Sequence, residues 1–202
     1  MVPGPRLALA RWSRPWDRGV ADFRTPVKKS HLFMQRASWE DVLVRDEGET
    51  PAIFCRRCRR DQNGGTVEEA SFMIVHYSGD CPDTTIESRS FGWLPSLGHR
   101  KKIEFESADF NKHWNVRSED AKAAYDRIDQ STIEFLETHS TRPSIELIDG
   151  ILLIKFDTTG SGQEVRESCL RWAEDFSRAV PDDLLQPLTL TSVEGGTSRG
   201  TS

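Results

Sequence analysis

The sequence has no long hydrophobic run and few cysteines, and each shortage excludes a class of protein. No apolar stretch approaches the roughly 18 residues that a membrane-spanning helix needs. The longest one near the start, Leu7 to Ala10, is also shorter than the apolar region of a secretory signal, which takes about 7 to 15 residues. Four cysteines in 202 residues are too few for a disulfide scaffold. We therefore expect a cytoplasmic protein.

Positive charge is scarce beyond the first 36 residues. Those residues hold eight Lys and Arg against Asp17 and Asp22, which leaves 19 basic and 30 acidic side chains elsewhere. The rest of the chain thus carries a net charge of −11, compared with −5 for the whole chain. Such an acidic domain repels a phosphate backbone, so the composition argues against nucleic-acid binding.

The first 38 residues are rich in Arg and Pro and lack a periodic apolar pattern, which predicts a disordered arm. Trp12, Trp16 and Phe23 lie among its arginines. Aromatic rings favour a lipid interface and cations meet anionic head groups, so the arm could make a peripheral membrane contact at the inner face, or bind a partner. The alternative is a misassigned start with no role.

Alternating apolar and polar residues predict a mainly antiparallel sheet. The Asp149-Gly150 pair predicts a tight hairpin turn, which puts five apolar residues on one core face. These are Ile145, Leu147, Leu152, Ile154 and Phe156. The other predicted strands cover residues 39–44, 51–60, 66–77, 84–89, 103–106 and 114–116.

Helical spacing follows three predicted N-caps. Ser107 precedes a short turn with Phe110, Ser118 precedes a helix, and Asp129 or Ser131 precedes a third element. The helix after Ser118 has its apolar positions at Ala121, Ala124, Tyr125 and Ile128. A capping box from Ser161 to Glu164 begins a C-terminal amphipathic helix whose apolar positions are Val165, Cys169, Trp172, Ala173, Phe176 and Val180.

The expected fold class is therefore α+β, with two or three helices packed on a mainly antiparallel sheet. We expect one domain over residues 39–185. Residues 186–202 are rich in Thr, Ser and Gly and predict a disordered tail.

The stretch from Ile103 to Leu136 carries a resemblance to a known family. It contains the order FES-x-x-FN-x-x-(aromatic)-x-V-x-S-x-D-x-x-x-AYD-x-I-D. In this respect it resembles an uncharacterised bacterial family that carries a domain of unknown function, with the likeness extending over about residues 41–156. Many members of that family have transmembrane segments ahead of this domain. The resemblance implies a fold and no catalytic residues, and this chain departs from it by having no transmembrane part.

Four residues could supply a metal site: Cys55, Cys58, His76 and Cys81. They are soft or borderline ligands in the number that tetrahedral zinc needs. However, Cys55 and Cys58 lie three apart in a predicted strand, so their side chains should point to opposite faces with Cα atoms roughly 10 Å apart. That spacing favours buried structural thiols over zinc binding, a disulfide or a redox pair.

Other charged and polar groups have an ordinary interpretation. The run Arg56, Arg57, Arg59 and Arg60 predicts a solvated strand edge, paired with Glu68 and Glu69 of the next strand. Glu104 and Glu106 share a strand face that we expect to meet solvent. His99, His113 and His139 have no neighbouring nucleophile in a recognised catalytic motif.

The leading interpretation is an uncharacterised, non-enzymatic binding or accessory module without a cofactor. It would act on a protein partner and could associate with the membrane. The alternative is a metal-binding or enzymatic domain that uses the group of Cys55, Cys58, His76 and Cys81, with zinc as the metal.

Overall fold

A computed structural model describes residues 30, 32, 38–45, 52–60, 62–63, 66–78, 83–89, 100–148, 150–158, 162–180 and 186–187. The strands are β1 (Ser38–Arg45), β2 (Ala52–Arg60), β3 (Thr66–Ser78), β4 (Thr84–Ser88), β5 (Lys101–Ile103), β6 (Trp114–Ser118), β7 (Ser144–Ile148), β8 (Ile151–Phe156) and β9 (Gln186–Pro187). The helices are α1 (Ala108–His113), α2 (Ala121–Arg127), α3 (Gln130–Thr138) and α4 (Gln163–Ala179). No helix in these ranges is long and apolar enough to cross a bilayer.

The strands form one antiparallel sheet in the order β1-β2-β3-β8-β7-β4-β6-β5, and β9 pairs with the end of β3. The β7–β8 hairpin has the predicted register, with Ile148 opposite Ile151. Gly150 in its turn has a φ of 74°, which a residue without Cβ adopts at little cost. The predicted α+β class, with an antiparallel sheet and a C-terminal helix, is confirmed.

One face of the sheet, the helix face, carries the main core. All four helices contribute buried side chains to it, and the hairpin residues predicted to share a core face lie there. The apolar stripe predicted for α4 also packs on this face, with Val165 partly buried at one end. Tyr125 was predicted to lie on the apolar face of its helix, but 48% of its surface is exposed. Its hydroxyl donates to the Glu104 carbonyl at 2.6 Å.

The other face, the second face, has its own apolar cluster. Its members come from the sheet and from Leu32, and no helix of the described residues contributes to it. The cluster contains Leu32, Val44, Ile53, Cys55, Ala70, Phe72, Ile74, Ile151 and Leu153, with Val42 partly buried against it.

Charged side chains continue the second face beyond this cluster. Glu87 is 6% exposed and one of its carboxylate oxygens is buried without a hydrogen-bond partner among the described residues. Burial raises the pKa of Glu87, and the nearby Glu146 carboxylate raises it further. Arg117, Arg100 and Lys155 oppose that shift. A buried carboxyl group near four charged side chains is unusual and makes this region sensitive to pH.

The helix caps correct two predictions. Asp120, rather than Ser118, caps α2 by accepting from the N–H groups of Lys122 and Ala123. Ser118 ends β6 and is buried. Gly162 is the N-cap of α4 and provides no side-chain hydrogen bond, while the predicted cap Ser161 lies outside the described residues. The predicted caps Ser107 and Asp129 are confirmed.

Both ends of the chain were predicted to be disordered, and the structure differs from this prediction at four residues. Ser30 and Leu32, in the predicted disordered arm, are buried on the second face. In the predicted tail, the backbone of Gln186 and Pro187 pairs with β3. The aromatic residues Trp12, Trp16 and Phe23 lie outside the described residues, and the boundaries of the domain stay a prediction.

Candidate functional site

Helices α3 and α4 are tied together at one end. The hydroxyl groups of Ser131 and Thr132, in the first turn of α3, donate to the Ala179 carbonyl at 2.7 Å and 3.1 Å. Ala179 is the last residue of α4. The two helices are therefore hydrogen-bonded where α3 begins and α4 ends.

A pocket of about 470 Å³ lies at the other end of the two helices, and such a volume falls in the range of small-molecule sites. Side chains from the C-terminal side of α3, from the end of β8 and from the first four turns of α4 line it. They are His139, Thr141, Phe156, Thr158, Glu164, Val165, Ser168, Cys169, Arg171, Trp172 and Asp175.

Aromatic rings support the pocket from below. The Trp172 ring is edge-on to Phe156, with centroids 5.6 Å apart, and edge-on to Phe135 at 5.3 Å. It also stacks on Phe176 at 5.4 Å. The Trp172 indole nitrogen is buried, and no partner accepts its proton among the described residues. The floor is thus largely aromatic, and it includes one indole donor that no described residue accepts from.

His139 forms part of the wall in a defined orientation. Its ring lies against that of Phe135, with centroids 3.8 Å apart, and Nδ1 is 2.8 Å from the Phe135 carbonyl oxygen. A carbonyl oxygen only accepts, so Nδ1 must carry the proton of this bond. In the neutral ring, Nε2 is then an acceptor that a ligand could use.

The pocket brings together residue types that hydrolases use, but the described contacts do not join them into a relay. His139 makes no hydrogen bond to Ser168, Cys169 or a carboxylate of the described residues, and Asp175 is paired with Arg178 at 2.6 Å. Burial raises the pKa of Cys169 to about 12, so this thiol is neutral at pH 7. A nucleophile needs a base within hydrogen-bond reach, and the contacts of the described pocket residues include no such pair.

The predicted metal ligands are not brought together. Cys55 belongs to the apolar cluster of the second face, and Cys58, three residues along β2, is also buried. Burial raises the pKa of Cys55, which disfavours the thiolate that a metal needs. Cys55 pairs with Phe72, four residues before His76 in β3, so the backbone of His76 is roughly 13 Å further along the sheet. Cys81 lies outside the described residues, which contain no group of three metal ligands.

The arginine run of β2 does not form a solvated edge. This strand lies between β1 and β3, and Arg56 contacts Glu69 at 2.6 Å and Asp41 at 3.0 Å. Arg57 is buried, with its guanidinium 5.5 Å from the centroid of the Phe72 ring. The predicted pairing of this run with Glu69 is confirmed, whereas the predicted solvent exposure is wrong for Arg57. The side chains of Arg59, Arg60 and Glu68 lie outside the described part of the chain.

Glu104 and Glu106 are solvent-exposed as predicted, although β5 ends before them, at Ile103. The strand ends there because the backbone of the next residues is hydrogen-bonded by a side chain and not by a neighbouring strand. Asn111 accepts from the Phe105 N–H at 3.0 Å and donates to the Phe105 carbonyl at 2.5 Å. Neither carboxylate lines the pocket.

The polar residues of the family-like stretch have structural roles. Ser107, Asp120 and Asp129 cap helices, Asn111 holds the backbone of Phe105, and Tyr125 binds a carbonyl. Each bond satisfies a backbone group at a helix end or strand end. The pattern that marks this chain therefore describes how it folds, and the pocket residues lie outside the pattern.

Sequence reasoning recognised the pocket floor only as core. Phe156, Cys169 and Trp172 follow the predicted apolar periods, so nothing local distinguishes them from fully covered residues. No sequence pattern marks the rim residues Thr141, Thr158 and Ser168 as neighbours, because the distance between them in space depends on how α3 and α4 pack.

Comparisons with known proteins bear on the fold alone. No protein family model and no curated protein matches the sequence, so the resemblance to the bacterial family stays a prediction. Among solved structures, the crystal structure of the mycobacterial trehalose monomycolate transport factor A, TtfA, is similar with a TM-score of 0.53 and 13% identity. The match covers 77% of this chain and 78% of that one. At this identity the likeness shows that the two chains share a fold.

Proposed function

We propose that this protein is a non-enzymatic accessory module that binds a protein partner, with the pocket between α3 and α4 holding an apolar group of that partner. The observation that carries the proposal is the pocket floor, where Trp172 and Phe156 form an apolar surface below a polar rim. An apolar pocket with a few orienting polar groups is typical of a binding site. Among the described residues, His139 bonds the Phe135 carbonyl and no hydroxyl or thiol of the pocket, which favours binding over catalysis.

The fold neighbour supports the same class of role. That protein is named a transport factor, and an accessory role for this chain is consistent with that name. The proposal extends to a cytoplasmic location at the inner face of the membrane, with the N-terminal arm making a peripheral contact, and to the absence of nucleic acid and cofactor. The proposal also includes membership of the bacterial family that carries a domain of unknown function.

The environment-sensitive dye 8-anilinonaphthalene-1-sulfonate tests the pocket, because its aryl rings imitate an apolar group of a partner. Native protein should enhance its fluorescence in a saturable manner, with one site per chain. Val165→Glu places a carboxylate at the pocket mouth and should weaken binding at least tenfold. Gln163→Glu adds the same charge to an exposed position of α4 that does not line the pocket, and it should bind as the wild type does.

Two results would contradict this function. Equal binding by both variants would place the dye elsewhere and remove the pocket from the proposal. Zinc that remains at one equivalent per chain after dialysis of purified protein would favour the metal-binding alternative.

A further inference from the structure

The second face of the sheet binds a piece of chain that comes from outside the sheet. Leu32 precedes β1 by several residues, is 5% exposed, and joins the apolar cluster that includes Cys55, Phe72 and Leu153. Its side chain covers a surface that the described helices leave uncovered, since all four of them lie on the helix face.

A buried carboxylate holds the same segment by its polar groups. The side chain of Glu146 in β7 is 0% exposed. One of its oxygens, Oε2, accepts from the Ser30 hydroxyl at 2.5 Å and from the Leu32 N–H at 3.3 Å. Two donors of one short segment, a hydroxyl and the backbone N–H two residues later, therefore share one acceptor.

The other oxygen of Glu146 is fixed by an arginine. Arg100 donates to Oε1 at 2.9 Å through Nη1 and to Asp83 at 3.1 Å through Nη2. This arrangement balances the buried charge and aims Oε2 at the segment. A carboxylate is expensive to bury, so its position at the contact indicates selectivity for what docks there.

We propose that the second face is a binding surface for a Ser-x-Leu segment, which the chain's own Ser30 and Leu32 occupy as a releasable intramolecular strap. The carboxylate recognises the hydroxyl and the backbone N–H, and the apolar cluster recognises the leucine. Among the described residues, Ser30 and Leu32 belong to no strand and are held by the Glu146 carboxylate and the apolar cluster, outside the main core, so the strap opens while the sheet stays folded. This surface lies opposite the pocket and does not depend on the function proposed for it.

Cysteine alkylation of the full chain tests the strap. Cys55 is completely buried in the cluster that Leu32 covers, whereas Cys169 is buried in the core of the helix face. In Leu32→Asp, the rate of alkylation of Cys55 by N-ethylmaleimide should rise about tenfold or more, because the open state becomes populated. Cys169 should keep its wild-type rate. Ser30→Ala should raise the Cys55 rate by a smaller factor, since the leucine still docks.

A peptide with the sequence of residues 28–34, KKSHLFM, supplies the segment from outside. Added to Leu32→Asp, it should restore the slow rate at Cys55, and the peptide KKAHDFM should not. An unchanged rate in Leu32→Asp would overturn the proposal, and so would a parallel rise at Cys55 and Cys169, which would mean that the segment is inseparable from the fold. Protection of Cys55 in wild-type protein that is lost on dilution would overturn the intramolecular form, because a second copy would then supply the strap.

Discussion

Replacing Trp172 by alanine should strongly destabilise the domain. The side chain is 7% exposed and its ring contacts Phe135, Phe156 and Phe176 at centroid distances of 5.3 to 5.6 Å. Truncating a buried tryptophan costs about 3 to 5 kcal/mol, because packing is lost and a cavity remains. Native domains are stable by only about 5 to 15 kcal/mol, so a large share of the stability would be lost.

Chemical denaturation followed by circular dichroism measures this loss, with two control variants. Arg171→Ala changes an exposed neighbour in the same helix and should alter the free energy of unfolding by less than about 0.5 kcal/mol. Trp172→Phe keeps an aromatic ring in place and removes the indole N–H, which has no partner among the described residues. It should therefore cost much less than Trp172→Ala. Small and equal effects of Trp172→Ala and Arg171→Ala would refute the reasoning, since α4 would then not cover the sheet.

Three further changes test the buried charges and the turns. Arg100→Ala removes the arginine that is paired with the buried Glu146 carboxylate and should lower the free energy of unfolding, measured in urea, by about 3 to 5 kcal/mol. As a control, Arg178→Ala breaks an exposed ion pair and should lower it by less than about 1 kcal/mol. Burial raises the pKa of Glu87, so ionising this side chain lowers the stability of the native state as pH rises above the usual glutamate pKa. Glu87→Gln removes the ionisation and should be more stable than wild type at pH 7. This gain in stability should vanish below about pH 4, where Glu87 is protonated in both the folded and the unfolded state. A gain that is independent of pH would contradict this. Gly150→Ala should cost about 1 to 2 kcal/mol because its φ is 74°. Gly162→Ala, where an added Cβ meets no atom within 4 Å, should cost less, because only the mild preference for glycine over alanine at an N-cap is lost. Equal melting temperatures of the two variants would argue against strain at the turn.

The features that could be predicted from the sequence are those set by neighbours along the chain. The β7–β8 hairpin depends on a two-residue turn and on strict alternation, so its register and core face were predictable. The apolar stripe of α4 follows from the helical period in the same way. The cap of α2 was misplaced because Ser118 and Asp120 both fit an N-cap, and strand pairing places Ser118 at the end of β6.

Contacts between distant residues could not be predicted. Glu146 alternates with apolar residues in β7, which by itself indicates a solvent-facing position, but Arg100 and Ser30 cover it from 46 and 116 residues away. Arg57 is also buried, because β2 lies between β1 and β3 and the Arg57 guanidinium packs over the Phe72 ring of β3, whereas the sequence predicted an edge strand. The pocket depends on how α3 and α4 pack, and the contacts that join them, from Ser131 and Thr132 to Ala179 and from Phe135 to Trp172, link residues 37 to 48 positions apart. None of these contacts leaves a short-range pattern.

The most direct test of the pocket as a binding site is the nuclear magnetic resonance signal of the Trp172 indole N–H. Trp172→Phe assigns this signal among those of the six tryptophans. On titration with 8-anilinonaphthalene-1-sulfonate, it should shift in a saturable manner together with the backbone signals of Val165 and Cys169, which line the same pocket. If these signals stay fixed while those of Ile53 and Phe72 on the second face move, the dye binds the opposite side of the sheet and the assignment of the pocket is wrong.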